Sequence, residues 1–114
     1  MSYIYLGSPY SDERTAVQRT RYLQAAEVTA KLLMKGIHVY SPIVHCHELA
    51  VRFTLPGDFA FWKKYNLAML SKASGLAILE LPGWETSRGL SEEIRYANSN
   101  SIPLQRIEYP LKIK

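Results

Sequence analysis

The sequence predicts an α/β fold, a three-layer α/β/α sandwich of the flavodoxin or Rossmann type with a parallel sheet of about four or five strands. Apolar, strand-like runs alternate with longer segments of helical periodicity, in the order β-α-β-α-β-α-β. The run "GLAILEL" is continuously apolar, which is typical of a strand buried on both faces of a parallel sheet. The chain has 114 residues and contains no linker-like stretch, so we expect residues 1–114 to form one domain.

The first half of the chain supplies two strands and a long helix. The β-rich run "SYIYLGS" ends at the turn residues Gly7-Ser8-Pro9, and residues 11–35 form a helix candidate that Gly36 ends. "IHVYSP", residues 37–42, is the second strand. Four apolar residues recur at helical spacing in the first helix: Leu23, Ala26, Ala30 and Leu33.

The second half is less regular at its start. "IVHCHELAVRF" is compatible with a short helix, and "TLPGD" is a turn. Asp58 is a candidate cap for a helix that runs to about residue 72. After "GLAILEL", the stretch "LPGWETSRGLSEEIRYA" predicts a turn and a helix, and "IPLQRIEY" is the last strand. The inner face of the helix after Asp58 is predicted to carry Phe61, Tyr65, Ala68 and Met69.

Composition narrows the class of protein. Hydrophobic residues make up 47% and charged residues 21%, as in ordinary soluble globular domains. No apolar run approaches the ~18 residues needed to cross a bilayer, and the N-terminus has no signal-peptide pattern. The one cysteine, Cys46, excludes an intramolecular disulfide, so we expect a cytoplasmic protein without a membrane partner.

The net charge of +4 is a mild basic excess. No nucleic-acid-binding module accompanies it, so a polymeric nucleic acid is not an expected partner. The excess suits a small anionic ligand such as a phosphate ester about as well. His45, Cys46 and His47 invite a metal interpretation, but no second ligand cluster exists in the sequence. We therefore predict no metal and no other cofactor, and a structural or substrate-contacting role for these histidines.

The predicted sheet places the candidate site. In open α/β sheets, ligands bind beyond the carboxyl ends of the strands, where strand order reverses. The loops at those ends are "GSPYSDER", "SPIVHCHE" and "PGWETSRG". Candidate substrate-binding residues in or beside these loops are Gly7, Ser8, Tyr10, Ser41, Glu80 and Trp84. Glu80 could equally be structural, Trp84 could equally pack in the core, and Gly7 to Tyr10 could be a plain turn.

The start of the last helix is a candidate anion site. Backbone amides near Arg88 and Gly89, together with Ser87, would face a ligand at the helix N-terminus, and Gly89 would let it approach the backbone. The alternative is ordinary capping by Thr86 or Ser87.

Two adjacent acids in this helix have different predicted positions. At ~100° per residue, Glu93 lies about 70° and Glu92 about 170° from the centre of the apolar face formed by Leu90, Ile94 and Ala97. Glu92 is thus predicted to be a solvated surface charge. Glu93 lies on the shoulder of the face, where it could reach the sheet end or merely complement the helix dipole.

These motifs resemble a known group. "YLGSPYS" after the first strand and "LAILELPGWETSRGLSEEIRYA" near the end are similar to the nucleoside 2-deoxyribosyltransferase superfamily, which includes deoxynucleoside 5′-monophosphate N-glycosidases. A branch of small bacterial proteins in which "SPI", "FW" and "LPGWE-S-G" recur is more similar still. The likeness spans nearly the whole chain, and the spacing of Ser87, Gly89 and Glu93 is its most specific part.

The resemblance implies a reaction and an assembly. It implies cleavage of the N-glycosidic bond of a nucleoside or nucleotide, with Glu93 as the catalytic nucleophile and Tyr5 beside it and the sugar. It also implies that Ser87 and Gly89 hold a 5′-phosphate, that water or a second base accepts the sugar, and that the chain forms a dimer or a higher homo-oligomer.

Two residues depart from the pattern of this superfamily. Many members carry acids where this chain has Asn66 and Ser74, and the first of these acids contacts the base or assists its departure. Asn66 can still bind a base, but an amide cannot act as a general acid. Two alternatives follow: a nucleotide-binding module without catalysis, and a phosphoribohydrolase of the cytokinin-activating type. The second is disfavoured because its "PGG" turn is "PGW" here.

Overall fold

Four parallel strands form one sheet in the computed structural model, which describes residues 2–56 and 59–111. The strands are β1 (Ile4–Gly7), β2 (Val39–Tyr40), β3 (Gly75–Glu80) and β4 (Leu104–Glu108), and their order in the sheet is β2-β1-β3-β4. In the register, Tyr5 of β1 lies opposite Tyr40 on one side and Leu76 on the other. The direction of strand addition reverses between β1 and β3, which is where the fold class favours a ligand site.

The connections are helical. They are α1 (Thr15–Met34), α2 (Pro42–Phe53), α3 (Phe59–Leu70) and α4 (Arg88–Ser99), with a short 3-10 turn at Trp84–Thr86. Two serines begin helices, because Ser41 Oγ accepts a hydrogen bond from Val44 N and Ser87 Oγ accepts one from Leu90 N. None of the helices in residues 2–56 and 59–111 is both long and apolar enough to cross a lipid bilayer.

Two hydrophobic clusters sandwich the sheet. On one face α1 packs on the strands, and on the other face α3 and α4 pack on them. The first cluster joins Ala25, Val28 and Leu32 to Leu6, Val39, Ala77, Leu79, Leu81 and Ile107. The second joins Leu70, Leu90 and Ala97 to Tyr5, Tyr40, Leu76 and Ile78. These layers confirm the predicted three-layer α/β/α fold with four strands.

Residues 43–53 were described only as compatible with a short helix. They form α2, which begins one residue earlier, at Pro42. The second strand is shorter than predicted, with two residues instead of six. The predicted cap at Asp58 lies outside the described residues.

The apolar row predicted for the first helix is not the row that packs. Leu23 and Leu33 are about half exposed, whereas Ala25, Val28 and Thr29 are buried against the sheet. Small side chains let α1 lie close to the strands, and the larger leucines are left on the flanks.

The inner face predicted for the helix after Asp58 was also wrong in part. Phe61 and Tyr65 are each 44% exposed and Ala68 is exposed, while Leu70 is fully buried. Of the four predicted residues, Met69 packs against the core. The C-terminal half of α3 packs on the core through Leu67, Met69 and Leu70, so Phe61 and Tyr65 lie outside it.

Candidate active site

A cavity of about 680 Å³ opens at the carboxyl ends of β1 and β3. Its walls are the β1–α1 loop, α2, α3 and the first turns of α4. The volume lies in the range of small-molecule sites in proteins. Of the eleven predicted site residues, six line it: Ser8, Tyr10, Asn66, Ser87, Gly89 and Glu93.

Glu93 lies at the base of this cavity and is almost fully buried, with 7% of its surface exposed. The phenol of Tyr5, itself fully buried on the central strand, donates a hydrogen bond to Glu93 Oε2. Burial raises the pKa of the Glu93 carboxyl to about 7, and the hydrogen bond from Tyr5 opposes that shift. Burial and the neighbouring carboxylate raise the pKa of Tyr5, so the phenol remains a donor.

The close approach of β1 to α4 depends on Gly7. A β-carbon on Gly7 would lie 3.2 Å from Glu93 Oε1 and 2.8 Å from Leu90 Cδ1. Both distances are shorter than ordinary contacts, so a side chain here would displace the Glu93 carboxylate and the Leu90 side chain from their present positions. Gly7 does not line the cavity, but it sets the position of the carboxylate.

The first turn of α4 forms an anion-favouring wall. Ser87 Oγ caps the helix by accepting from Leu90 N, which leaves its hydroxyl hydrogen available to a ligand, and a helix N-terminus attracts anions through its dipole. A β-carbon on Gly89 would meet nothing within 4 Å. The fold itself therefore does not require glycine at this position, and the space over Gly89 belongs to the cavity.

Two buried polar atoms on the cavity wall have no hydrogen-bond partner among the residues that the structure describes. They are Ser8 Oγ and Asn66 Oδ1. Ser8 is 8% exposed, and an unpaired buried polar atom costs ~1–3 kcal/mol of stability. A bound ligand that offers hydrogen-bonding groups would satisfy both atoms.

His47 of α2 lines the cavity and is held by two aromatic residues. Its Nδ1 lies 2.5 Å from Tyr10 Oη, and its ring stacks on Tyr22 with centroids 4.2 Å apart. Tyr10 was a predicted site residue and also lines the cavity. Burial raises the pKa of the Tyr10 phenol, so it stays neutral.

The prediction that Glu92 is a solvated charge was wrong. Glu92 lines the cavity, its side chain is 24% exposed, and it pairs with Lys63 Nζ at 3.7 Å and Arg95 Nη1 at 3.5 Å. The helical wheel considered only the face of α4 that contacts the sheet. Helix α3 covers another face and brings Lys63 to Glu92.

Besides Gly7, three more predicted substrate-binding residues do not line the cavity. Ser41 is fully buried and caps α2. Glu80 accepts from Arg106 Nε at 3.1 Å, across to β4. Trp84 packs against the core with the Arg106 guanidinium 5.1 Å from its ring centroid. All three have structural partners, which accounts for their presence at the strand ends.

The neighbours of His47 have other surroundings. His45 is exposed, with Nδ1 2.7 Å from Ser41 O and its ring stacked on Tyr40. Cys46 is a buried free thiol that lines the cavity, and burial raises its pKa. Within residues 2–56 and 59–111, no three His, Cys, Asp or Glu side chains are grouped to hold a metal ion.

Sequence reasoning missed several cavity residues. Gln18 and Lys63 lie on two different helices, and His47 was weighed only with its neighbours. The helical period of α2 could have separated His45 from His47, since adjacent residues differ by ~100° in direction. The approach of α3 to α4 that brings Lys63 to the cavity has no signal within either segment.

One family model matches this chain, over residues 2–108, and its description is "Domain of unknown function (DUF1937)". No curated protein matches the chain. The matched residues include all four strands, all four helices and every cavity residue described above. The chain belongs to the DUF1937 family.

Proposed function

We propose that this protein cleaves the N-glycosidic bond of a nucleoside or a nucleoside 5′-monophosphate, with Glu93 as the nucleophile. The observation that carries the proposal is the buried Glu93 carboxylate. It accepts a hydrogen bond from Tyr5 and lines a cavity whose wall includes the N-terminus of α4. The residues at this site, Tyr5 and the spaced set Ser87, Gly89 and Glu93, are the ones that carry the resemblance to the nucleoside 2-deoxyribosyltransferase superfamily.

The chemistry needs a carboxylate below the sugar ring. Loss of a base passes through an oxocarbenium-like state, and a nearby carboxylate stabilises the positive charge that develops on the sugar. Glu93 then forms a glycosyl ester with the sugar. Water or a second nucleobase attacks the anomeric carbon of this ester and releases the sugar from Glu93. Because the pKa of Glu93 is about 7, the ionised form is available at neutral pH.

The part of the cavity wall at the start of α4 suits a phosphate. The N-terminus of α4, the Ser87 hydroxyl and the space over Gly89 favour an anion there. Arg88 and Lys63 also line the cavity and add positive charge, although Lys63 is partly neutralised by Glu92. We therefore favour a nucleotide over a nucleoside, and hydrolysis over transfer.

The test is the release of free nucleobase, which is measured by chromatography. The protein is incubated with ribonucleosides, deoxyribonucleosides and their 5′-monophosphates, with and without an acceptor base. We expect base release by the wild type and a loss of ~10³-fold or more in Glu93→Gln, the scale of a key electrostatic group. Glu92→Gln is the matched control, since it removes the adjacent carboxylate, and it should retain far more activity.

A second candidate is a nucleotide-binding module without turnover. Asn66 favours this non-catalytic function. It stands where many members of the superfamily that the chain resembles carry an acid, and an amide cannot protonate a leaving nucleobase. Saturable binding of nucleotides by calorimetry, with no base released by either the wild type or Glu93→Gln, would establish this second function and end the first.

We also propose that the chain works as a homo-oligomer in the cytoplasm. Large apolar side chains are exposed at the end of α2 and the start of α3, with Val51 at 64%, Phe53 at 69% and Phe61 at 44%. Val51 is also part of the cavity wall, so a second copy seated there would narrow the cavity mouth. Sedimentation velocity tests this, and a species of monomer mass at all concentrations would contradict it.

A further inference from the structure

The departing base needs a proton, and the residue expected to give it is missing. A nucleobase leaves as an anion unless a ring nitrogen or a carbonyl oxygen is protonated, and general acid catalysis of such a step contributes ~10²–10⁴-fold. Asn66 cannot supply that proton. Another proton donor must therefore face the cavity if the proposed function holds, and the present inference rests on that function.

The cavity offers few other donors. Burial raises the pKa values of Cys46 and Tyr10, which makes both poor acids at neutral pH. Lys63 is engaged by Glu92, with Nζ 3.7 Å from Oε2. His47 also lines the cavity, and histidine is the side chain that most often serves as a general acid or base in catalysis.

His47 is also oriented. The Tyr10 hydroxyl sits at Nδ1, at 2.5 Å, and the stacked Tyr22 ring fixes the plane of the imidazole. With Nδ1 engaged, Nε2 is the nitrogen left for a ligand. The hydrogen bond from the β1–α1 loop and the ring stacking from α1 together fix the orientation of the imidazole. A general acid needs such a fixed orientation, whereas a side chain that only fills space does not.

His47 and Glu93 also reach the cavity from different layers. Glu93 belongs to α4, which packs on one face of the sheet, and His47 is held by Tyr22 of α1, which packs on the other face. A nucleophile must approach the anomeric carbon on the side away from the base. A proton donor must reach the base itself, so the two groups are needed on separate walls.

We propose that His47 is the general acid that protonates the departing base. In the first step, the bond between the anomeric carbon and the base nitrogen breaks, and its electron pair goes to the base. The Nε2 proton of the His47 imidazolium moves to a nitrogen or carbonyl oxygen of the base, while a Glu93 oxygen bonds to the anomeric carbon. Neutral His47 keeps the Nδ1 hydrogen, which it donates to Tyr10 Oη.

The second step restores both residues. Water attacks the anomeric carbon of the glycosyl ester, and His47 Nε2 takes one proton from that water. The bond between the sugar and Glu93 breaks, and its electron pair returns to the carboxylate. The products are the free sugar or sugar phosphate and the neutral base, with His47 protonated and Glu93 ionised as at the start.

The experiment compares leaving groups that do and do not need a proton. The natural substrate that responds in the base-release panel is paired with an activated form. For a purine this is the N7-methylated nucleotide, whose base is already cationic, and for a pyrimidine it is the 5-fluoro nucleotide, whose base is a better anion. Spontaneous release without protein is subtracted from each rate.

We expect His47→Gln to lose ~100-fold or more in kcat/KM on the natural substrate, and only a few-fold on the activated one. Tyr10→Phe should show the same pattern to a smaller degree, because it removes only the partner of Nδ1. His45→Gln is the matched control. It alters an exposed histidine that does not line the cavity, and it should behave as the wild type on both substrates.

Equal losses of kcat/KM on both substrates in His47→Gln, or no loss on either, would overturn the role of His47. The proposed function is tested separately, by the activity of Glu93→Gln. An unfolded His47→Gln protein would be recognised by circular dichroism, and Tyr10→Phe would then decide. If the wild type releases no base from any natural or activated substrate, the N-glycosidase function fails and the role of His47 fails with it.

Discussion

The phenol of Tyr5 donates a hydrogen bond to Glu93 across 88 residues of sequence, and both side chains are buried. This contact joins the inner strand β1 to the last helix, beside the β1–β3 pair at which the strand order reverses. It opposes the effect of burial on the carboxyl, whose pKa would otherwise rise further above 7. The ionisation of Glu93 near neutral pH therefore depends on Tyr5.

Replacing Tyr5 with Phe should shift the pH dependence of activity. Without the O–H donor, the pKa of Glu93 rises, so the ascending limb of the rate against pH moves to higher pH. At pH 7 we expect a loss of roughly tenfold or more, in part recovered at higher pH. Base-release rates measured from pH 5 to 9 test this, and an unchanged midpoint would contradict it.

Glu93 should also make the stability of the fold depend on pH. Its pKa rises from an ordinary value of 4.5 to about 7 on folding, so the folded chain binds more protons than the unfolded chain between these values. The free energy of unfolding then falls as pH rises through this window, by about 3 kcal/mol in total, and levels off above pH 7.

Urea unfolding of the wild type and Glu93→Gln from pH 4 to 8 isolates this effect, because all other titrating groups are common to both proteins. The two stabilities should change in parallel below about pH 4.5 and diverge above it, with Glu93→Gln the more stable at pH 8. Parallel curves over the whole range would show that Glu93 is not buried as described.

Gly89→Ala should separate stability from binding. The new methyl group meets no protein atom within 4 Å, and alanine is favoured over glycine inside a helix by up to ~1 kcal/mol. We expect an unchanged or higher melting temperature, but a raised KM for nucleoside 5′-monophosphates. Ser91→Ala, an exposed position in the same helix, is the control that should leave KM unchanged. A lower KM in Gly89→Ala would refute a ligand over this turn.

Two buried serines should respond oppositely to alanine. Ser8 Oγ has no hydrogen-bond partner within the described residues, so Ser8→Ala removes an unsatisfied group and should leave stability unchanged or raise it by ~1 kcal/mol. Ser41 Oγ caps α2, so Ser41→Ala should lower stability by ~1 kcal/mol. Thermal unfolding measures both, and substrate KM should rise only for Ser8→Ala. Loss of stability in Ser8→Ala would point to a structural role.

The sequence predicted the sheet better than the helix faces. The apolar run at β3 and the turns after β1 and β3 carry strong local signals, and they located the strand ends where the cavity lies. In α1, the apolar residues form no single stripe, so Leu23 and Leu33 looked as suitable for the core as Val28. Only the approach of the helix to the sheet decides between such rows.

The two adjacent glutamates illustrate a second limit. A helical wheel placed Glu93 near the apolar face of α4, and the structure buries it. The same wheel placed Glu92 in solvent, because nothing within the segment indicates that α3 packs beside it with Lys63. The sequence left His47 open between a structural and a substrate-contacting role for a similar reason, since its contacts with Tyr10 and Tyr22 come from other parts of the chain.

Arg21 of α1 joins the two loops that frame the cavity. Its guanidinium donates to the carbonyl oxygens of Ser11 at 3.0 Å and Pro82 at 3.1 Å, in the loops after β1 and β3. Gly83 makes room for it, since a β-carbon there would lie 2.7 Å from Arg21 Nη2. The width of the cavity mouth is therefore set when the chain folds, so a ligand that bridges Ser8 and α4 binds without the entropic cost of ordering two separate loops.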